Sequence, residues 1–83
     1  MTLEQVYAAV SPVAEQVLQI PRFDHTQTMM SAPTWDSLRH IQLLSAVERE
    51  FGIEIGADDA FRLVTADKLV QYVHARLQQE IEA

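Results

Sequence analysis

The chain contains no cysteine. That absence excludes disulfides, thiolate metal sites and cysteine nucleophiles, so any thiol this protein uses must arrive on a prosthetic group. Long apolar runs are also missing: no stretch reaches the roughly 18 residues of a membrane-spanning helix, and no basic N-terminal region precedes an apolar segment. The expectation is a soluble, cytoplasmic protein without membrane insertion or a secretory signal. Basic residues are few, six Lys and Arg against twelve Asp and Glu, for a net charge of −6. This balance disfavours nucleic acid, whose phosphates require a basic face, and favours partners that carry basic patches. At 83 residues the chain is expected to form one domain, residues 1–83, near the lower limit for a core without metal or disulfides.

Apolar periodicity predicts helices throughout. Thr2 and Gln5 fit a capping box, and Leu3, Val6, Val10, Val13 and Val17 then recur every three or four residues, predicting a first helix over Leu3–Leu18. Pro12 lies inside that span, lacking an amide and crowding the preceding turn; Ser11 as a new cap predicts a kink or a restart there. Residues 20–35 lose all periodicity. They form a connection of about 15 residues, and a loop of that length needs function or pinning side chains. Phe23, Met29, Met30 and Trp35 are the expected anchors. A second helix spans Ser37–Phe51 and stops at Gly52, a residue suited to the left-handed position after a helix. Ile53, Glu54 and Ile55 are extended but too short for a sheet. Residues 57–62 form a brief third helix, and Thr65 caps a fourth in which Leu69, Val73 and Leu77 share a face. No segment repeats, and residues 78–83 read as a fraying polar tail. The predicted fold is all-α, a small four-helix bundle with a long loop between helices one and two.

The most informative segment is Thr34-Trp35-Asp36-Ser37-Leu38, which sets one serine hydroxyl at the mouth of the second helix. Helix N-termini offer unpaired N–H groups and a partial positive charge, so a phosphate attached to Ser37 is favoured by the backbone. Asp and Ser are also common helix starters through side-chain capping alone, so Asp-Ser-Leu carries weight only with its context. His40 is the one neighbour capable of base chemistry. It supplies no oxyanion hole and no third orienting group, and Gly-x-Ser-x-Gly is absent, so no catalytic residue is assigned. His25, His40 and His74 lack metal-site spacing and read as surface residues, and no metal is expected. Asp58-Asp59 reads as the negative first turn of helix three.

From Leu38-Arg39-His40-Ile41 through Val47-Glu48-Arg49-Glu50-Phe51 the chain resembles the second helix of acyl carrier proteins. The likeness runs on through Gly52-Ile53-Glu54-Ile55, Asp58-Asp59-Ala60, Leu63, Thr65 and Tyr72-Val73, covering residues 34–77, about half the chain. The resemblance implies that Ser37 carries 4′-phosphopantetheine, transferred from coenzyme A by a phosphopantetheinyl transferase. It implies no enzyme but a stand-alone monomeric carrier that holds an acyl or aminoacyl group as a thioester for a specialised pathway. A loading ligase and a synthase or acyltransferase follow as partners. Asp36, Leu38, Arg39, Ile41 and Glu48 match partner-binding positions. Leu43, Val47, Ile55, Ala60, Leu63 and Leu69 match positions that line a cargo cavity, and each also has a simple core role. Two departures point to a dedicated partner set: Thr34 replaces a usual glycine, and Arg39 stands where fatty acid carriers bear an acid. Between Asp36 and Phe51 three acids face two bases, so this helix is less negative than the chain as a whole. The competing expectations are an aminoacyl or peptidyl carrier of non-ribosomal type, an unmodified helical adaptor acting through helix two, and a small hydrolase.

Overall fold

Each long helix starts where a short oxygen-bearing side chain satisfies a free amide, and the first two stop where the backbone turns left-handed. In the computed structural model, which describes residues 1–82, helix α1 spans Leu3–Leu18. Thr2 Oγ1 accepts from the Gln5 amide at 3.1 Å while Gln5 Oε1 accepts from the Thr2 amide at 2.8 Å, completing the capping box. Helix α2 spans Ser37–Phe51, α3 Ala57–Ala60 and α4 Ala66–Glu82. Gly52 ends α2 at φ 65°, where a side chain would be strained. Thr65 Oγ1 accepts from the Lys68 amide at 3.1 Å and starts α4. The described residues contain no strand; a lone antiparallel bridge joins Thr28 to Thr65.

Several expectations need correction. Helix α1 does not restart at Pro12: it is one helix, and the Ser11 hydroxyl donates to Tyr7 O at 2.8 Å rather than capping a new segment. Pro12 and Ala8 are both exposed, so water can reach the carbonyl that the missing proline amide leaves unpaired. The buried stripe of α1 is Val6, Val10, Ala14 and Leu18, with Val13 and Val17 only flanking it and Leu3 exposed. Helix α3 is shorter than expected, and Phe61 beyond it projects into solvent. Residues 78–82, read as a polar tail, belong to the span of α4, and Ala83 lies outside the described residues.

Helix α1 packs against both α2 and α4. The core joins Val6, Val10 and Leu18 of α1 to Leu43 and Val47 of α2 and Leu69 and Val73 of α4. The long loop is pinned as a chain of its length requires. Phe23 and Trp35 are buried in the core with ring centroids 6.3 Å apart, and Met29 packs against its edge. Met30, expected as an anchor, is 96% exposed. Backbone bonds from Met29 N to Val64 O at 2.8 Å and from Ala66 N to Gln27 O at 3.0 Å tie the loop to the start of α4. Its first half is fixed by Glu15, whose carboxylate accepts from the Phe23 amide at 2.9 Å, and by Tyr7 Oη, which donates to Phe23 O at 2.7 Å. Burial, with Asp24 nearby, raises the Tyr7 phenol above its ordinary value. Asp24 Oδ1 accepts from both the amide and the hydroxyl of Thr26, which holds its carboxyl below the usual value. That contribution is present at neutral pH and is lost as pH falls through the folded carboxyl's pKa.

Candidate functional site

Asp36 sets the local geometry of the site. Its extended backbone ends the loop, and its Oδ1 accepts from the Arg39 amide at 2.8 Å, so the aspartate, not the serine, caps α2. Ser37 is thereby released from structural duty. It occupies the first helical position, is exposed, and its hydroxyl makes no hydrogen bond among the described residues. Replacing Asp36 with alanine should lower stability by about 1 kcal/mol through loss of this cap. A urea titration of the two proteins checks this, and an unchanged midpoint would remove the capping role.

Behind Ser37 the helix turns inward through His40. The expectation of a surface histidine is wrong here: His40 is 4% exposed and both ring nitrogens are engaged. Trp35 Nε1–H, which can only donate, meets His40 Nδ1 at 3.0 Å, and His40 Nε2 stands 2.8 Å from Ala60 O. The only arrangement that satisfies both bonds is a neutral ring with its proton on Nε2. His40 is therefore committed to structure and cannot serve Ser37 as a base. His25 is exposed and His74 half-buried, and no metal-capable cluster of His, Cys, Asp or Glu occurs among the described residues.

The residues matched to partner contacts divide in two. Leu38 and Ile41 are 66% and 62% exposed, an unusual state for apolar side chains one turn apart on a helix. Arg39 and Glu48 instead have internal bonds. Arg39 Nη1 donates to Val17 O at 2.9 Å, closing the C-terminal end of α1, and Glu48 Oε2 accepts from the Ile55 amide at 2.8 Å, holding the extended segment after α2. Of the residues matched to a cavity, Leu43, Val47, Leu63 and Leu69 are buried in the core, and Ile55 and Ala60 pack against it. Two surface depressions lie elsewhere, one lined by Leu3, Glu4, Tyr7 and His25, the other by Val13, Gln16, Val17, Ala46, Arg49 and Glu50. Neither touches the six matched positions. Thr34, at the place of the usual glycine, has a buried hydroxyl oxygen without a partner.

The Trp35–His40 bond, the Arg39 tie and the Glu48 tie all escaped sequence reasoning. Their one legible signal was an indole donor and an imidazole acceptor placed five residues apart across a helix start.

The small helical bundle thus displays an unengaged serine hydroxyl at a capped helix start, with the neighbouring imidazole bonded elsewhere. The family model described as phosphopantetheine attachment site matches residues 10–73, and the chain belongs to that family, a family of carriers rather than enzymes. Its prosthetic group is 4′-phosphopantetheine. The acyl carrier protein of Rickettsia canadensis (strain McKiel) is 39% identical over 41 residues, 49% of this chain and 48% of that protein. The acyl carrier protein of Buchnera aphidicola subsp. Schizaphis graminum (strain Sg) is 44% identical over 39 residues, 47% of this chain and 49% of that protein. The chain thus spans about half the length of the curated relatives it matches. The residues present fit the group, because a hydroxyl free of hydrogen bonds stands at a helix start where a phosphodiester finds unpaired amides.

Proposed function

We propose that this protein is an acyl carrier whose Ser37 holds 4′-phosphopantetheine. The observation that carries the reading is the exposed, unengaged Ser37 hydroxyl beside a cap that Asp36 supplies alone. When bound, the group supplies a thiol that this cysteine-free chain does not have. Ser37 Oγ is the oxygen that takes the phosphopantetheinyl group from coenzyme A, losing its proton to the transferase as adenosine bisphosphate departs. The first turn of α2 orients that oxygen and favours the charge next to it.

Leu38 and Ile41 give modifying and loading enzymes an apolar contact beside the attachment point, and Asp36 adds an acidic one. Partner enzymes of this kind are the transferase, a ligase that loads an acyl or aminoacyl group, and a synthase or acyltransferase that removes it. A specialised pathway is supported by Thr34 and Arg39, which depart from the pattern of fatty acid carriers. The absence of a helix among the described residues long and apolar enough to cross a membrane is compatible with work in the cytoplasm.

Incubation with coenzyme A and a broad-specificity phosphopantetheinyl transferase tests the reading. The intact protein should gain the mass of one arm, and fragment masses should place it on the peptide that contains Ser37. A chain that stays unmodified with an active transferase is the adaptor of the alternative reading.

A further inference from the structure

The buried contacts around Ser37 converge on one side chain that the carrier reading leaves without a task. Trp35 and His40 lie two residues before and three after Ser37, so the 3.0 Å bond between their rings spans the serine. On its other side the same imidazole reaches Ala60 O, the last carbonyl of α3, at 2.8 Å. Helix α3 has only four residues, and Gly56 at its start offers no side-chain cap. A helix that short does not hold itself. Apart from His40 it is tied by Tyr72 Oη, which bonds Asp59 Oδ2 at 3.1 Å.

One ring thus locks three segments together: the loop that delivers Ser37, the helix turn that displays it, and the short helix beside it. Because the indole can only donate, the ring cannot flip without losing both bonds. The rings of Trp35 and His40 also lie 6.0 Å apart at a tilt of 35°, so packing holds the orientation that the hydrogen bonds select.

We propose that His40 is a positioning residue for the modification of Ser37, holding the start of α2 and α3 in the arrangement that a transferase engages. The proposal rests on the reading of Ser37 as the attachment site. Removing the imidazole leaves a buried indole N–H and a backbone carbonyl unpaired, and the chain around Ser37 relaxes to find them water. Small displacements of a reacting atom weigh more on turnover than on binding.

The test uses the full chain and four variants. In His40→Leu, turnover of phosphopantetheinylation should fall about tenfold with KM within about twofold, because orientation rather than affinity is lost. The Trp35 indole proton, buried and bonded to His40 Nδ1 in the native protein, should exchange faster in the same variant. Asparagine places an oxygen near the Nδ1 position and glutamine an amide near Nε2. His40→Asn keeps the bond to the indole and His40→Gln the bond to Ala60 O, so indole protection should return in the asparagine variant alone and turnover should recover in part in each.

Val10→Ala, a core change on α1 that alters neither bond of the imidazole, should lower thermal stability and leave turnover unchanged. The proposal is overturned if folded His40→Leu is modified at the native rate, or if Val10→Ala slows modification as much. Should His40→Leu not fold, the Asn and Gln variants decide, and native turnover in both, each lacking one of the two bonds, would overturn the proposal. A native protein that is never modified would instead sink the reading of Ser37 itself.

Discussion

Ser37→Ala is expected to abolish attachment completely while leaving the fold and its thermal midpoint unchanged. The two halves of this result have separate physical causes. Chemically, alanine has no oxygen to form the phosphodiester. Structurally, the serine hydroxyl is exposed and unbonded, and the cap of α2 belongs to Asp36, so the change removes no interaction; stability should move by less than about 0.5 kcal/mol. The other three serines cannot substitute. Ser11 lies inside α1 and is bonded to Tyr7 O, Ser31 is tied to Thr28 in the loop, and Ser45 sits within α2, away from any helix start. Mass spectrometry after transferase treatment, paired with a melting curve, checks both halves. Modification that persists in Ser37→Ala would place the attachment elsewhere, and a large loss of stability would mean that the hydroxyl has a structural bond after all.

What could be read from the residues was whatever local chemistry determines. The capping box at Thr2, the Asp36 cap, Gly52 and Thr65 all depend on neighbours within a few residues, and these set the boundaries of α1, α2 and α4. The exposed serine at the start of α2 was legible for the same reason, since a helix start is a local feature. What sequence reasoning missed was non-local. Arg39 was read as a surface charge because its partner, Val17 O, is twenty-two residues away in α1. Glu48 was read as a contact for enzymes, yet its carboxylate accepts from an amide beyond the end of its helix. His40 was read as exposed because an imidazole on its own gives no sign of burial; only the folded chain brings an indole donor and a carbonyl acceptor to its two sides. Pro12 misled in the other direction. Its missing amide and its crowding of the preceding turn suggested a kink or a restart, whereas exposure lets water serve the orphaned carbonyl and the helix does not restart. The likeness to carriers covered about half the chain and spoke for α2 best, and the six positions it matched to the interior do lie in the core or against it.

Trp35→Ala is expected to be the most destabilising single change on the loop that leads to Ser37. Trp35 is among the largest fully buried side chains, packed against Phe23 on one side and His40 on the other. Truncating a buried tryptophan costs about 3–5 kcal/mol through lost burial and the cavity left behind. The imidazole also loses its donor, and the loop loses the anchor nearest α2. Domains of this size have total stabilities on the order of 4–12 kcal/mol, so the change removes at least about a quarter of the total. At roughly 4–8 °C per kcal/mol, the variant's thermal midpoint should fall by about 12 °C or more. Because the chain has one tryptophan, the melt must be followed by circular dichroism rather than indole emission. Trp35→Phe separates the two contributions. It keeps most of the apolar volume and deletes the donor, leaving His40 Nδ1 without a partner at a cost of about 1–3 kcal/mol. A full loss in the phenylalanine variant, equal to that in alanine, would assign the whole effect to the hydrogen bond; no loss in either would mean that the loop is held by Phe23 and the backbone bonds to α4 alone. The expected order, alanine far below phenylalanine and phenylalanine below the native protein, makes the indole both a filler of the core and the polar link through which the loop sets the start of α2.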